Sequence, residues 1–370
     1  MSTLKVDAIR HNNATSDAIT TAADGTCTAN ITNNLSNRRM NINGGMQVWQ
    51  RSTSLSVSEG TNEGVTACDR YGFEFGNASA GAATISRSTD VPTNLGFPYS
   101  FKIDVTTLNN MSANNTQIRF PYRFEAQDIV SSGWKYNDPN SFLTISFYFK
   151  SNKSGTNKLP VQIRTFDGTA YFYIAEITQS DTNWNRYTVK IPGNSNLTFN
   201  NDTGAGLRIA VYGYLGTGST GSMSLNTWAA YNHPSTFTPN NTSTWFTTND
   251  ATLEFTGFQL ELGSVATPFE HRSYGDQLAR CMRYYQKSTD DWHSALNSNS
   301  SPSGYSNCNV PFKVQMRAAP TVNYVWTGNG GNTPTQQSTN YIGVNSFVAL
   351  SLANSNNAFR LDSWNCSAEI

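Results

Sequence analysis

Between Tyr71 and Leu262 the apolar residues return again and again at every second position. A period of two places one class of side chain on each face of an extended chain, so it is the signature of half-buried strands. Tyr71, Phe73 and Phe75 share a phase. Phe101, Ile103 and Val105 alternate with Lys102 and Asp104, and Ile118, Phe120, Tyr122 and Phe124 alternate with Arg119 and Arg123. Leu143, Ile145, Phe147 and Phe149 alternate with Thr144, Ser146, Tyr148 and Lys150. Val161 and Ile163 flank Gln162, while Tyr187, Val189 and Ile191 alternate with Arg186 and Lys190. Leu207, Ile209 and Val211 alternate with Arg208, Ala210 and Tyr212, and a last strand runs from Leu253 to Leu262. Gly-, Asn- and Ser-rich turns separate these segments. Such a series predicts an all-β fold, a jelly-roll-like antiparallel β-sandwich.

The flanks read differently. Residues 1–39 hold short alternating pieces between polar spacers, too little to bury a core alone, and read as an N-terminal arm. Residues 40–272 form the sandwich. Over residues 273–287, Leu278, Cys281, Met282 and Tyr285 fall at i, i+3, i+4 and i+7, which predicts one short connecting helix. Residues 288–370 carry strand-like stretches at Val310–Met316, Thr321–Thr327, Asn340–Leu352 and Phe359–Trp364, around a Ser/Asn-rich loop at Ser294–Ser306. They read as a small C-terminal β-domain.

Composition excludes several function classes. Lys and Arg number 25 and Asp and Glu 25, so no basic excess points to nucleic acid. Charged residues are 14% of the chain, against roughly 25% in ordinary globular proteins. Aromatics reach 12%, enough for large buried side chains. A neutral, aromatic, amide-rich surface suits glycans. The opening residues lack the apolar stretch of a secretory leader, and no run approaches the ~20 apolar residues of a membrane span. Cys27, Cys68, Cys281, Cys308 and Cys366 are odd in number and widely spaced, which predicts free buried thiols and synthesis in a reducing cytosol. His11, His233, His271 and His293 sit in separate segments without metal-binding spacing.

Chemistry-bearing motifs are scarce. Glu125, Glu176, Glu254, Glu261, Asp104 and Asp167 are carboxylates that a glycosidase could use, but the sequence pairs no two of them. Sugar rings are held by aromatic faces, with amides and charged groups on the hydroxyls. On the polar phase of their strands, Arg208, Tyr212 and Tyr214 share one face, Tyr148 (with Lys150) another, and Arg119 and Arg123 a third. If those strands are neighbours, these residues build an aromatic–basic groove for glycans; otherwise they cover the outer sheet or a subunit contact. Trp228, Tyr231, Trp245 and Trp292 are alternative platforms.

Asn41-Ile42-Asn43-Gly44-Gly45-Met46-Gln47-Val48-Trp49-Gln50-Arg51 resembles a signature of bacteriophage (cyanophage-like) tail-fibre and related virion proteins, where it opens a carbohydrate-binding-module-like β-sandwich. Cys68-Asp69-Arg70-Tyr71, the closing run from Gly257 to Arg272, the segment Leu278–Tyr285, and Arg317-Ala318-Ala319-Pro320-Thr321-Val322 resemble later motifs of the same family, in the same order. The motifs bracket residues 41–322, and the interior between them matches only in character. The resemblance implies a non-enzymatic structural and adhesive subunit of a phage tail, made in the host cytoplasm and assembled as a homotrimer. Residues 1–39 would join other tail proteins, and the rest would contact host surface polysaccharide, with no nucleic acid and no membrane insertion. It implies no catalytic residue, and no cofactor beyond a structural calcium such sandwiches often carry. The same module occurs on head fibres and on depolymerase-like spikes, which keeps a capsid decoration role and a glycan depolymerase as alternatives. In physical terms, Gly44-Gly45 suits a tight or positive-φ turn, Asp69 and Arg70 suit pairing with each other or with loop backbone, and Pro268 suits a strand end.

Overall fold

The computed structural model describes residues 5–21, 23, 27–29, 37–58, 64, 67–76, 81–107, 117–153, 155–216, 219–232, 248–288, 293–294, 305–328, 336–352 and 359–370. The chain is nearly all β, 46% strand and 5% helix. Three short antiparallel strands come first: β1 (Ala8–Ile9), β2 (Ile19–Thr21) and β3 (Cys27–Ala29). Among the described residues no helix is long and apolar enough to cross a membrane.

Two six-stranded antiparallel sheets follow. Sheet I is ordered β12 (Asn185–Pro192), β9 (Phe142–Ser151), β15 (Thr252–Leu262), β7 (Ser100–Thr107), β6 (Ala82–Ser88), β4 (Ser54–Ser58). Sheet II is ordered β14 (Trp228–Ala230), β11 (Tyr171–Gln179), β10 (Asn157–Thr165), β13 (Ala205–Leu215), β8 (Gln117–Glu125), β5 (Glu74–Gly76). The alternating apolar phases named above point between the sheets and form one core. Phe120 of sheet II meets Phe255 of sheet I with ring centroids 5.6 Å apart, and Tyr122 meets Phe258 at 5.9 Å. This is the expected jelly-roll-like sandwich. One short helix, α1 (Ala126–Val130), follows β8 directly, where the sequence reading had no helix inside the sandwich.

The Asn41–Arg51 motif is a latch. Asn41 Nδ2 donates to Phe258 O at 2.7 Å, and its Oδ1 accepts from Leu260 N at 2.9 Å. Asn43 Oδ1 accepts from the amides of Gln47 and Val48, while its Nδ2 donates to Val48 O and Asp69 O. The positive φ angles fall on Asn43 (56°) and Met46 (52°), which bracket the two glycines. Gly44 is needed for a different reason: a Cβ there would lie 2.1 Å from Phe258 O. Asp69 and Arg70 do not pair with each other. Asp69 accepts from Gln50 N and faces Arg51, whereas Arg70 reaches Glu369.

The connecting helix, α2 (Tyr274–Met282), is shorter than the expected 273–287. Ser273 caps it by accepting from Asp276 N at 3.2 Å. Tyr285–Lys287 leaves the helix as strand β16, because its backbone pairs with the final strand. The C-terminal strands β17 (His293–Ser294), β18 (Tyr305–Pro311), β19 (Thr321–Gly328), β20 (Gln336–Asn340), β21 (Ser346–Leu352) and β22 (Phe359–Ser367) make two further sheets, one centred on β22 and one on β21. Most of the Ser294–Ser306 loop reading lies outside the described residues. A second core of Val310, Met316, Trp326, Phe347, Leu361 and Trp364 holds this region. Cys68, Cys281, Cys308 and Cys366 are free and buried.

Candidate functional site

The two outer faces of the sandwich differ. Sheet I is covered by its own exit segment. Glu261, buried on β15, accepts from Thr267 N at 2.9 Å, and Gln259 Oε1 accepts from Glu270 N at 2.7 Å. This folds residues 264–272 back over the strand. Tyr148 takes part in that cover: its ring meets Phe97 at 5.5 Å, and Phe97 in turn meets Phe269 at 4.9 Å. Tyr148 therefore stands on the opposite side of the molecule from Arg208, Tyr212, Arg119 and Arg123, and is no part of a groove with them.

The outer face of sheet II carries a cleft of about 280 Å³. Cross-strand register sets the side chains on this face. Arg164 of β10, Arg208 of β13 and Arg123 of β8 stand directly side by side, and Tyr212 of β13 stands beside Arg119 of β8, itself opposite Glu74 of β5. A hydrogen-bonded line crosses the floor. Arg119 donates through Nε and Nη2 to Glu74 Oε2 at 2.8 and 2.6 Å. Its Nη1 donates to Tyr212 Oη at 3.0 Å, and Tyr212 donates to Gln162 Oε1 at 3.2 Å. Gln162 Oε1 also accepts from Arg208 Nη2 at 2.8 Å. Arg208, Tyr212 and Gln162 are buried and rigidly held, whereas Tyr231 at the rim is 43% exposed. Tyr231 is braced from behind by Phe172, with centroids 4.9 Å apart, and the Arg164 guanidinium lies 5.9 Å from its ring. An exposed ring propped by a buried one offers a fixed apolar face beside a floor of donors.

The electrostatics are one-sided. Burial, followed by repulsion from Arg119, lowers the Arg208 pKa to about 9, so the group stays charged at neutral pH. Burial and then Arg119 also lower Arg164, while burial and then Arg164 lower Arg123. Arg119 is raised, because Tyr212 and Glu74 outweigh the burial that opposes them. Among the described residues lining the cleft, Glu74 is the sole carboxylate, against Arg119, Arg164 and Arg208.

Of the expected groove residues, Arg208, Tyr212 and Arg119 line this cleft. Arg123 stands in the same arginine row but turns to donate to Ile370 O at 2.7 Å. Tyr214 does not share their face. A bulge between Tyr212 and Tyr214 shifts the register, pairs Tyr214 with core-facing Ile118 and packs it on the inner side. Trp228 is a core residue whose Nε1 donates to Pro192 O. Trp245 and Trp292 lie outside the described residues. The sequence reading passed over Arg164, Phe172, Gln162 and Glu74 as site residues. Arg164 and Gln162 were visible as one polar phase on β10.

A larger cavity of about 740 Å³ lies between residues 37–42, α1 and α2. Its arginines are largely matched: Arg38 by Glu261, Arg272 by Glu270, Arg280 by Asp276 and Arg283 by Glu125. For a structural calcium the described residues supply no group of three or more His, Cys, Asp or Glu side chains. Asp167, in the Asn/Asp loop region, is engaged by the backbone and side-chain amides of Asn200.

No family model matches the chain, and no curated protein does. Solved structures with a similar fold include the tailspike protein 4 enzymatically active domain of Bacteriophage CBA120, at 11% identity and TM-score 0.31 over 61% of this chain and 22% of that one. Another is the family 11 carbohydrate-binding module of Clostridium thermocellum, solved with a mixed-linked tetrasaccharide, at 12% identity and TM-score 0.26 over 60% of this chain and 99% of the module. A third is a xylan-binding domain from Paenibacillus barcinonensis, at 14% identity and TM-score 0.26 over 57% of this chain and 95% of the domain. The chain thus spans about a fifth of the tailspike domain's length. Likenesses of this size carry no argument about function.

Proposed function

We propose that this chain is a non-enzymatic adhesive subunit of a bacteriophage tail fibre, binding host-surface glycan in the cleft on sheet II. The observation that carries the glycan reading is the exposed Tyr231 ring, fixed on Phe172 beside the donors of Arg119, Arg164 and Arg208. Stacking on the C–H face of a sugar and several donors to its hydroxyls are the two requirements of glycan recognition. One carboxylate among the described lining residues, engaged by Arg119, supports binding over two-carboxylate hydrolysis at this cleft. The tail-fibre reading rests on the ordered motifs from Asn41 to Val322, which also support a homotrimer joined to other tail proteins through residues 1–39. Weak single sites then gain strength by multivalency.

The test is titration of the purified full chain with host-surface polysaccharide, alongside adsorption of virions to host cells. Tyr231→Ala is expected to weaken glycan binding about tenfold, the value of one lost stacking face, with unchanged melting. Binding that is insensitive to Tyr231→Ala moves the site elsewhere. Reducing ends released from the polysaccharide would establish the depolymerase alternative instead, and normal adsorption by virions lacking the chain would favour a decoration role on the head.

A further inference from the structure

Nothing in a neutral hydroxyl calls for three guanidinium groups in one cleft. Sugar hydroxyls are met well by amides, carboxylates and single charged donors. Sheet II instead places Arg164, Arg208 and Arg123 as direct cross-strand neighbours, an arrangement that like charges disfavour. The cleft is lined by Arg164, Arg208 and Arg119, with Glu74 the sole carboxylate among the described lining residues. Glu74 is already taken by two bonds from Arg119. Arg208 is 1% exposed, and Arg164 Nε is buried with no hydrogen-bond partner among the described residues. Arg164 is held over the rings of Phe166 and Phe172, at 4.6 and 5.5 Å, which fixes its planar fork near Tyr231. Preformed, desolvated guanidinium groups are matched to an anionic oxygen group, which they bind through short charge-assisted bonds.

On the reading that this cleft binds glycan, we propose that its ligand is an acidic sugar, whose anionic substituent sits between Arg164 and Arg208 while its ring stacks on Tyr231. The shared chemistry is an anionic oxygen group on a pyranose. A ring carboxylate and a sulfate or phosphate ester both supply it, and the experiment separates them. The burial that depresses Arg164 fits this occupant, because an anion restores the interaction that water would have given it.

The experiment titrates the full chain with a polyuronic acid, with the same polymer after chemical reduction of its carboxyl groups, and with a sulfated neutral glycan. The acidic polymers are expected to bind at least about tenfold more tightly than the reduced one, one charge-assisted contact being worth that much. Preference between the carboxylated and sulfated polymers identifies the anion. Arg164→Gln, at a partly exposed position, is expected to erase the preference, so that the variant binds acidic and reduced polymers alike. Affinity for the acidic polymer is expected to fall as salt rises. Equal binding of acidic and reduced polymers, both lost in Tyr231→Ala, would overturn the acidic ligand and leave glycan binding standing. Binding of acidic polymers that survives Arg164→Gln and Arg208→Gln together, in a variant that melts normally, would also overturn it. Failure of every glycan to bind would overturn the glycan reading itself.

Discussion

Two of the molecule's arginine clusters differ in how their charge is met. At the joint between the sandwich and the C-terminal strands, Arg51, Arg70 and Arg283 have carboxylates. Arg70 reaches Glu369 and lies 3.5 Å from the Tyr284 ring centroid. Arg51 bridges Asp69 and Glu369 at 3.4 and 3.1 Å. Arg283 grips Glu125 with two bonds of 2.9 and 2.8 Å, and Tyr284 donates to the same carboxylate. On the outer face of sheet II, three arginines line a cleft where Glu74, held by Arg119, is the one carboxylate among the described lining residues. Both sets are supported by aromatic rings and partly or fully withdrawn from water. The joint has its counterions built in, as a structural contact requires. The cleft sets three arginines against one carboxylate among its described lining residues, an imbalance that suits a charged ligand.

The comparison breaks most decisively at Glu125, which is fully buried. Glu125→Ala leaves Arg283 and the Tyr284 hydroxyl without their acceptor and is expected to cost about 3–5 kcal/mol, measured by urea unfolding. The same carboxylate predicts an acid response. Burial alone would raise its pKa, but the bonds from Arg283 and Tyr284 overcome this and hold it below 4.5. A depressed acid stabilises fully above its unfolded value, and the contribution is lost as pH falls through the folded one. Wild type should lose melting temperature below about pH 4.5, and Glu125→Gln should lose this part of the pH dependence. A Glu125→Gln variant with an unchanged acid limb would remove Glu125 from the account.

Arg208 should behave in the opposite way. Its pKa is lowered by burial to about 9, so its charge costs the folded state stability at neutral pH. Arg208→Met is of similar length, removes a buried like charge beside Arg164 and leaves Gln162 bonded to Tyr212. Stability without ligand is expected to hold or rise by about 1 kcal/mol, while affinity for an acidic glycan drops at least about tenfold. A loss of stability like that of Glu125→Ala would make the cleft arginines structural and dissolve the distinction.

The sequence carried the sandwich and only part of the cleft, for a physical reason. Leu143–Phe149 and Ile118–Phe124 announce their strands because one face meets the core and the other meets polar surroundings. β11 was missed because Phe172 and Ile174 on its outer face are also buried, in a satellite cluster with Met223, so its alternation is blurred. Tyr214 was misplaced because the bulge shifts the register there; Gly213, a residue that weakens strand interiors, was the local sign of it. Tyr148 was placed with the arginines because strand phase is local information. Which strands share a sheet depends on pairings such as β9 with β15 and β13 with β8, made across a hundred residues and invisible to periodicity.

Arg123 joins the two regions and gives the smallest and sharpest test. It stands next to Arg208 in the arginine row, yet its Nη1 donates to Ile370 O. Its backbone oxygen accepts from Arg70 Nη2 at 2.7 Å, so the main chain here belongs to the joint whatever the side chain is. In Arg123→Met the bond to Ile370 is lost, a cost of about 1 kcal/mol. Relief of repulsion from Arg164, which together with burial depresses Arg123, offsets part of this. Net stability is expected to change by under ~1 kcal/mol. Affinity for glycan is expected to change by under about threefold, because Arg123 does not line the cleft. A tenfold loss of binding would extend the cleft across β8 and make the C-terminal segment part of the site. A loss of several kcal/mol would place Arg123 with Arg51, Arg70 and Arg283, as a further fastening of the joint.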